Sequence, residues 1–408
     1  MNVQINAGDT AWILVCCSLV LMMTPALAFF YGGMVRRKNV LSTLTLSYVF
    51  MALIGVQWVL YGYSLAFGNS INGLIGGLNF LGFIGVDAQP NEVYAKTIPH
   101  NLFAAFQMMF AVITPALITG AFVERIKFKS FLLFSLLWAT LVYDPLCHWV
   151  WGNGGWLKEM GVLDFAGGTV VHIAAGFSAL AFALVIGPRR GYGNVTVEPS
   201  NIPLTVLGTG LLWVGWFGFN AGSALAANGT AVNALLTTNT SAATAGLVWM
   251  LLTWLDGRPS TLGIATGMVV GLAAVTPASG FVTPLAAMVI GAVAAPLSYY
   301  TMRFRDRRKL DESLDVWACH GMASTWGMIA TGLFATVAVN ADGADGLFFG
   351  NPGQLSIQIF AVLVTIAFSF GMTYVLAKAL NMSIGLRVSP MEEEVGLDIS
   401  SHGERSYS

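Results

Sequence analysis

The stretch that decides the fold is "DFAGGTVVHIAAGFSALAFALVIGPRR", residues 164–190. Between Asp164 and the arginine pair at its end it consists almost entirely of Ala, Val, Ile, Leu, Phe and Gly. As one helix it is long enough to cross the hydrocarbon core of a bilayer. His172 lies well inside the apolar run, where an imidazole is costly unless it is hydrogen-bonded or used. The stretch therefore predicts a membrane span that contains a functional residue.

The composition of the whole chain extends this interpretation. Of its 408 residues 56% are hydrophobic and only 10% are charged, with a mean hydropathy of +0.71, whereas soluble domains are about 25% charged. This indicates a polytopic membrane protein with many spans. A net charge of −1 argues against a nucleic-acid partner. The four cysteines have neither disulfide-framework nor metal-site spacing, so we expect small core residues, and neither a cofactor nor a metal.

Apolar runs of roughly 17–25 residues are the spanning unit. The N-terminus "MNVQINAGD" has no basic residue of the kind that a signal peptide carries, so the run after it is kept as a span. Eleven spans are predicted, with Gly and Thr diluting the sixth and eighth, at about 11–31, 41–66, 101–123, 130–149, 168–187, 203–221, 231–254, 260–276, 281–299, 315–337 and 355–380.

The basic residues orient these spans. With the N-terminus outside, 17 of the 19 Lys and Arg residues fall on the inner side, and only Lys96 and Lys158 fall on the outer side. This bias agrees with the positive-inside rule. The prediction is an all-α protein of eleven transmembrane helices with the N-terminus out and the C-terminus in.

A second histidine, His320, is embedded in span ten. His172 lies about 13 residues, or about 20 Å, beyond the outer flank of span five, and His320 about 11 residues, or about 16 Å, beyond the inner flank of span ten. Both depths are near the bilayer midplane, on helices of opposite direction. We therefore expect two inverted five-helix repeats, 11–187 and 203–337, plus an eleventh helix at 355–380, with the functional site between the halves. The alternative is that a backbone carbonyl satisfies each histidine separately.

Aromatic and hydroxyl residues gather at the outer mouth. Trp151 ends span four, Phe219 and Ser223 end span six, Phe110 lies in the outer half of span three, and Asp164 precedes span five. Aromatic faces and a hydroxyl suit a small cation that has to leave again, because cation–π contacts contribute only about 0.5–2 kcal/mol. A plain interfacial aromatic belt is the alternative, above all for Trp151.

Several motifs together identify a family. The opening stretch resembles the signature of the ammonium transporter (Amt/Rh) family position by position, and the chain is most similar to the bacterial Amt type. The same resemblance extends to "FFYGGMVRRKN", "FVERI", "GWFGFNAGSA", "DVWACHG" and the tail "GLRVSPMEEEVGLDISSHGERSY".

The resemblance implies a homotrimer with one pore through each subunit, and it assigns roles to residues. His172 and His320 would be the twin pore histidines, and Phe110 and Phe219 a stacked phenyl gate. Trp151, Ser223 and Phe110 would form an outer recruitment site, while Asp164 would serve recruitment and helix-end stability. Gln107 and Thr276 would line or support the path. A helix-capping role for Asp164 alone is the simpler alternative.

The expected function is ammonium transport in a bacterial inner membrane. A dry pore offers potassium no replacement for its hydration shell, whereas ammonium can give up a proton and cross as ammonia. The histidines would share or relay a proton, and similarity to bacterial relatives favours net charge transfer. An ammonium sensor that signals to a cytoplasmic partner is the main alternative. An intramembrane metalloenzyme lacks its third ligand here, so no enzyme activity is expected.

The sequence after the last span is polar. We take 1–380 as the transport domain and 381–408 as a cytoplasmic tail, whose Glu392–Glu394 run by default indicates a solvated, partly disordered segment. The resemblance instead implies an ordered tail that packs on neighbouring subunits. It also implies a PII signal protein as a partner on the cytoplasmic face, where the basic segment "RFRDRRKLDES" would lie.

Overall fold

Long helices that follow the predicted spans make up most of the protein. The computed structural model describes residues 4–194 and 197–407. Outside the described part lie residues 1–3 and 408, at the ends of the predicted units, and residues 195–196, between the two predicted halves. We number the helices α1 Ala7–Met34, α2 40–67, α3 His100–Ala121, α4 128–151, α5 Gly168–Ile186, α6 Ile202–Gly222, α7 Gly229–Leu255, α8 Thr261–Val275, α9 Pro284–Arg307, α10 317–334 and α11 Pro352–Ser383.

These helices make the chain a multi-pass membrane protein. Within the described ranges, nine helices are long and apolar enough to cross a membrane. The predicted spans eight and ten correspond to the two others, which are α8, with only 15 residues, and α10, which begins with a π-helical turn as α5 does. The helices also run beyond some predicted ends, since α9 continues to Arg307 and α11 to Ser383. The first residues of the predicted tail and much of the basic segment after span nine are therefore helical.

Short strands interrupt the all-helical pattern between α2 and α3. Ser70–Ile71 pairs antiparallel with Ile75–Gly76, and Pro90–Asn91 with Ala95–Pro99. The first pair is connected through Asn72 and Gly73, whose φ angles of 53° and 75° are both in the left-handed region. Asn and Gly are the residues that adopt this conformation at least cost, so this turn is encoded locally.

Glycine brings corresponding helices of the two predicted halves into close contact. A Cβ at Gly208 of α6 would lie 2.5 Å from the backbone nitrogen of Phe30 in α1, and one at Gly176 of α5 would lie 2.3 Å from that of Gly321 in α10. Helices in a membrane associate through such close backbone packing, because lipid offers no hydrophobic driving force between them. The second contact brings the two histidine-bearing helices together.

A buried ionic network ties the loops together at one end of the bundle, which we call the basic end. The Glu124 carboxylate, between α3 and α4, accepts hydrogen bonds from Arg36 Nε (2.9 Å), Asn39 Nδ2 (2.8 Å) and Arg189 NH1 (2.8 Å). Arg189 also pairs with Asp311 at 2.8 Å. Burial alone would raise the pKa of Glu124, but Arg189 and Arg36 lower it to about 2. The carboxylate is therefore ionised, and it links three connecting segments.

The tail is ordered, contrary to the default expectation of a partly disordered segment. It forms two short helices, α12 Pro390–Val395 and α13 Leu397–His402, on the basic end of its own subunit. The backbone N–H of Leu397 donates to Asn39 Oδ1 at 2.8 Å, and the Asp398 carboxylate accepts from the N–H of Ser42 at 2.8 Å. Within the acidic run, Glu393 is buried against Arg387 and the main-chain N–H of Arg190, while Glu392 caps α12, and these contacts hold the segment in place.

Candidate functional site

Each intramembrane histidine lies on a π-helical turn. His172 belongs to the turn Gly168–Ile173 at the start of α5, and His320 to the turn Trp317–Met322 at the start of α10. The first turn follows Gly167, whose φ of 113° is a conformation that favours glycine. Such turns are rare and are often found at functional sites, because they re-aim side chains within a helix.

The two imidazoles meet edge to edge inside the bundle. Their Nδ1 atoms are 3.2 Å apart, and the rings are nearly parallel, with an interplanar angle of 21°. Only 1% of His172 and 3% of His320 is exposed. One Nδ1 must carry the hydrogen and the other must accept it, so a pair of neutral rings shares one proton in this contact. The Nε2 atom of His172 has no hydrogen-bond partner in the described part of the chain.

A narrow apolar cavity runs beside the pair. Its void of about 330 Å³ leaves only about 10 Å³ for the centre of a water-sized molecule, which is close to the minimum needed to hold one. Its lining residues are Met23, Leu27, Phe30, Ile113, Leu117, Val171, His172, Leu212, Trp216, Phe219, Val269 and His320. The space therefore suits a small neutral molecule that passes along the imidazole edges without a hydration shell.

Two phenylalanines close the cavity on one side. The ring centroids of Phe110 and Phe219 are 4.3 Å apart, and each side chain is 1% exposed. Phe219 also stacks on His172, with centroids 5.8 Å apart at an interplanar angle of 27°. A molecule that moves from this side to the histidines has to displace the phenyl rings.

An open pocket of about 200 Å³ lies on the other side of the phenylalanines. Phe110, Trp151, Ser223 and Gln107 all line it. The Trp151 ring meets that of Phe110 edge to face, with centroids 5.8 Å apart. The Oε1 atom of Gln107 is buried without a partner in the described residues, and the Ser223 hydroxyl donates to the Phe219 carbonyl at 2.9 Å. Aromatic faces and acceptor oxygens thus surround a space of the size of a small hydrated cation.

Asp164 lies next to this pocket, but its carboxylate faces the start of α5. One oxygen accepts from the N–H groups of Gly167 (2.9 Å) and Gly168 (2.6 Å), and the other from the N–H (2.7 Å) and the hydroxyl of Thr169. The Asp164 carbonyl accepts from Trp151 Nε1 at 3.0 Å. Asp164 therefore caps α5 and holds one wall of the pocket through its main chain. Its carboxylate is not among the lining groups.

The structure brings most of the predicted residues into one line. Phe110, Trp151, Ser223 and Gln107 surround the pocket, and Phe219, His172 and His320 follow beneath it. Thr276 does not line the cavity but contacts a residue that does, because its hydroxyl accepts a hydrogen bond from Trp216 Nε1 at 2.9 Å.

Sequence reasoning missed Trp216 and Lys158. Trp216 stacks on His172 with centroids 5.3 Å apart, and Lys158 lines the open pocket. The spacing of Trp216, three residues before Phe219 on one helix face, was an available signal. Lys158 gave no such signal, because it stands among the loop residues that only mark a membrane boundary.

Comparisons with known proteins agree with this geometry. The Ammonium Transporter Family profile matches residues 11–407. The chain belongs to the ammonium transporter family. It is 52% identical over 400 residues to the protein named ammonium transporter Amt1 of Archaeoglobus fulgidus, covering 98% of this chain and 99% of that one.

Solved structures of the family share the fold. Mep2 of Saccharomyces cerevisiae superposes with a TM-score of 0.89 at 35% identity, covering 95% of this chain and 89% of that one. A structure titled "Sensor Amt Protein" gives a TM-score of 0.89 at 30% identity, covering 97% of this chain and 98% of the other. This member of the ammonium transporter family thus shares its fold with Mep2 and with a protein titled as a sensor.

Proposed function

We propose that the chain is an ammonium transporter, in which ammonium is recruited at the Trp151 pocket and ammonia passes the histidine pair. The single observation that carries this proposal is the order of groups along one line. An aromatic pocket, a pair of stacked phenylalanines and a dry cavity beside two hydrogen-bonded imidazoles follow one another. This order suits a substrate that arrives as a cation and crosses as a neutral molecule.

The first step is binding of the cation at the pocket. The faces of Trp151 and Phe110 offer cation–π attraction, and the unpartnered Gln107 oxygen can accept a hydrogen bond from ammonium. Because these contacts are individually weak, the cation is held without being trapped.

Deprotonation separates ammonium from potassium. Below Phe219 the cavity is too narrow and apolar to keep a hydration shell, and within the described residues no carboxylate lines it. Potassium has no proton to lose, so its desolvation cost stays uncompensated. Ammonia crosses as a neutral molecule that exchanges hydrogen bonds with the imidazole edges, and the hydrogen-bonded histidine pair relays the proton. A proton that follows the ammonia makes the transport electrogenic.

The wider architecture belongs to the same proposal. The chain forms eleven transmembrane helices as two inverted repeats plus α11, with the N-terminus outside and the basic end in the cytoplasm. Residues 1–380 form the transport domain and 381–408 the cytoplasmic tail. Three subunits assemble in the inner membrane of a bacterium, each with its own pore, and the basic end is the docking face for a PII signal protein. The distribution of basic residues and the ordered tail support this orientation.

The test is the current that an ammonium jump evokes from purified protein in liposomes. We expect a transient current with ammonium and none with potassium, and a current that is lost or loses selectivity in His172→Ala and His320→Ala. A Trp254→Phe variant serves as the matched control, because Trp254 is 59% exposed on α7. Equal ammonium and potassium currents in the wild-type protein would refute the mechanism.

A sensor with the same fold is the second candidate, and the structure titled "Sensor Amt Protein" is the observation behind it. A sensor would bind ammonium at the pocket with little flux. Stopped-flow measurement of the internal pH of ammonia-loaded liposomes distinguishes a transporter from a sensor. Rapid conduction without current indicates neutral ammonia transport, and the absence of conduction favours the sensor.

A further inference from the structure

A lysine stands at the entrance to the proposed recruitment site. Lys158 lines the same pocket of about 200 Å³ as Phe110, Trp151 and Ser223. Its ammonium group donates to the main-chain carbonyl of Trp151 at 3.1 Å. The positive charge is thus anchored to the residue whose ring forms one wall of the pocket.

The charge of Lys158 is not neutralised inside the pocket. Among the described residues that line this space, Lys158 is the charged member, and none is a carboxylate. Both oxygens of the nearby Asp164 are engaged at the start of α5, and the neighbouring Glu159 is exposed outside the lining. The lysine therefore adds a positive potential where a cation would bind, screened by solvent and by the adjacent Glu159, because both side chains are exposed.

The lysine side chain also resembles the substrate chemically. It ends in an alkylammonium group with the charge and the N–H donors of ammonium. The two cations therefore compete for the same acceptors and aromatic faces of the pocket. Two ammonium groups in so small a space repel each other. At a separation of about 7 Å and an effective dielectric constant of about 40, the repulsion corresponds to nearly a tenfold change in affinity.

We propose that Lys158 is an affinity-determining residue, whose fixed charge weakens the binding of ammonium and other small cations at the outer pocket. The inference rests on the proposed transport function. Since Phe110 and Phe219 separate the lysine from the histidines, it acts on recruitment alone. The fixed charge therefore keeps the site unsaturated at high ammonium concentration.

The test is a charge series at one position, read as KM and maximal rate of the ammonium-evoked current. Lys158→Gln removes the charge but keeps a hydrogen-bond donor within reach of the Trp151 carbonyl. Lys158→Arg keeps the charge and the donor, and Lys158→Glu reverses the charge. We expect KM to fall about three- to tenfold in the Gln variant and further in the Glu variant, with a maximal rate within twofold of wild type. The Arg variant should match the wild-type protein.

Lys96→Gln is the matched control, since Lys96 is the other basic residue predicted on this side and is not among the groups that line the pocket. Its KM should stay within twofold of wild type. An unchanged or raised KM in Lys158→Gln overturns the inference, as does a Lys158→Arg variant that behaves like Lys158→Gln. Failure of the proposed function itself looks different, because the wild-type protein would then show no saturable response to ammonium.

Discussion

The buried Glu124 carboxylate offers a sharp test of how the basic end is stabilised. Its pKa falls from an ordinary 4.5 to about 2 in the folded protein. At 1.36 kcal/mol for each tenfold change in proton affinity, the ionised group contributes roughly 3 kcal/mol to folding. Because the folded pKa is the lower one, this stabilisation is fully present above about pH 4.5 and is lost as the pH falls through about 2.

Glu124→Gln isolates that contribution. The amide has the same shape but no charge, and it turns a donor toward Arg36 or Arg189, so we expect a loss of at least about 3 kcal/mol at pH 7. The gap between the variant and the wild-type protein should narrow from pH 4.5 downward, since only the wild-type carboxyl titrates. Thermal unfolding of detergent-solubilised protein, followed by tryptophan fluorescence between pH 7 and pH 3, measures both curves.

Glu394→Gln is the control for this experiment. Glu394 pairs with Arg190 at 3.2 Å, but its side chain is 70% exposed and that of Arg190 56%. Exposed pairs contribute little, so this variant should unfold within about 0.5 kcal/mol of wild type at every pH. A constant gap for Glu124→Gln across the whole pH range, or no gap at pH 7, would refute the reasoning.

Three other predictions concern the pore. Gly176→Ala forces a methyl group against the α10 backbone, so we expect lost transport and a lower unfolding temperature, whereas Gly371→Ala, with open space around it, should be neutral in both assays. Asp164→Ala leaves three buried N–H groups without an acceptor and should cost about 3 kcal/mol or more in thermal unfolding; a stable but inactive variant would instead favour ion attraction. Trp216→Phe and Thr276→Val remove the same hydrogen bond, each costing about 1 kcal/mol, and the double variant should cost less than the sum if the two side chains are coupled.

Much of the fold could be predicted from the sequence, because in a membrane the apolar length of a segment fixes its structure. Nine of the predicted spans correspond to helices that meet this requirement. The short strands between α2 and α3 could not be predicted in the same way, since they depend on local turns rather than on hydropathy. For the tail, the composition indicated disorder and only the family resemblance implied order, because the buried Glu393 accepts from the main-chain N–H of Arg190, far away in the sequence.

Most of the residues around the pocket and the cavity were singled out from the sequence, but Trp216 and Lys158 were missed and the geometry was not predicted. Depth along the helices placed His172 and His320 at one level, and the structure puts them in contact. The apolar periodicity does not predict a π turn, so the direction of each imidazole could not be predicted from the sequence. For Asp164, helix capping was one of two alternatives from the sequence, and the carboxylate oxygens accept from backbone N–H groups at the start of the next helix. Contacts between helices, such as that of Trp216 with His172, can be identified only from the packed structure.

The π turns at the start of α5 and α10 also constrain how these helices can change in length. A π turn is equivalent to one residue inserted into a regular helix. Deleting Val170 or Ala318 would restore regular α-helical hydrogen bonding and remove the local widening of the turn that orients each imidazole. The imidazoles would then face different directions. The exact residue count within these two turns therefore sets the alignment of the pair.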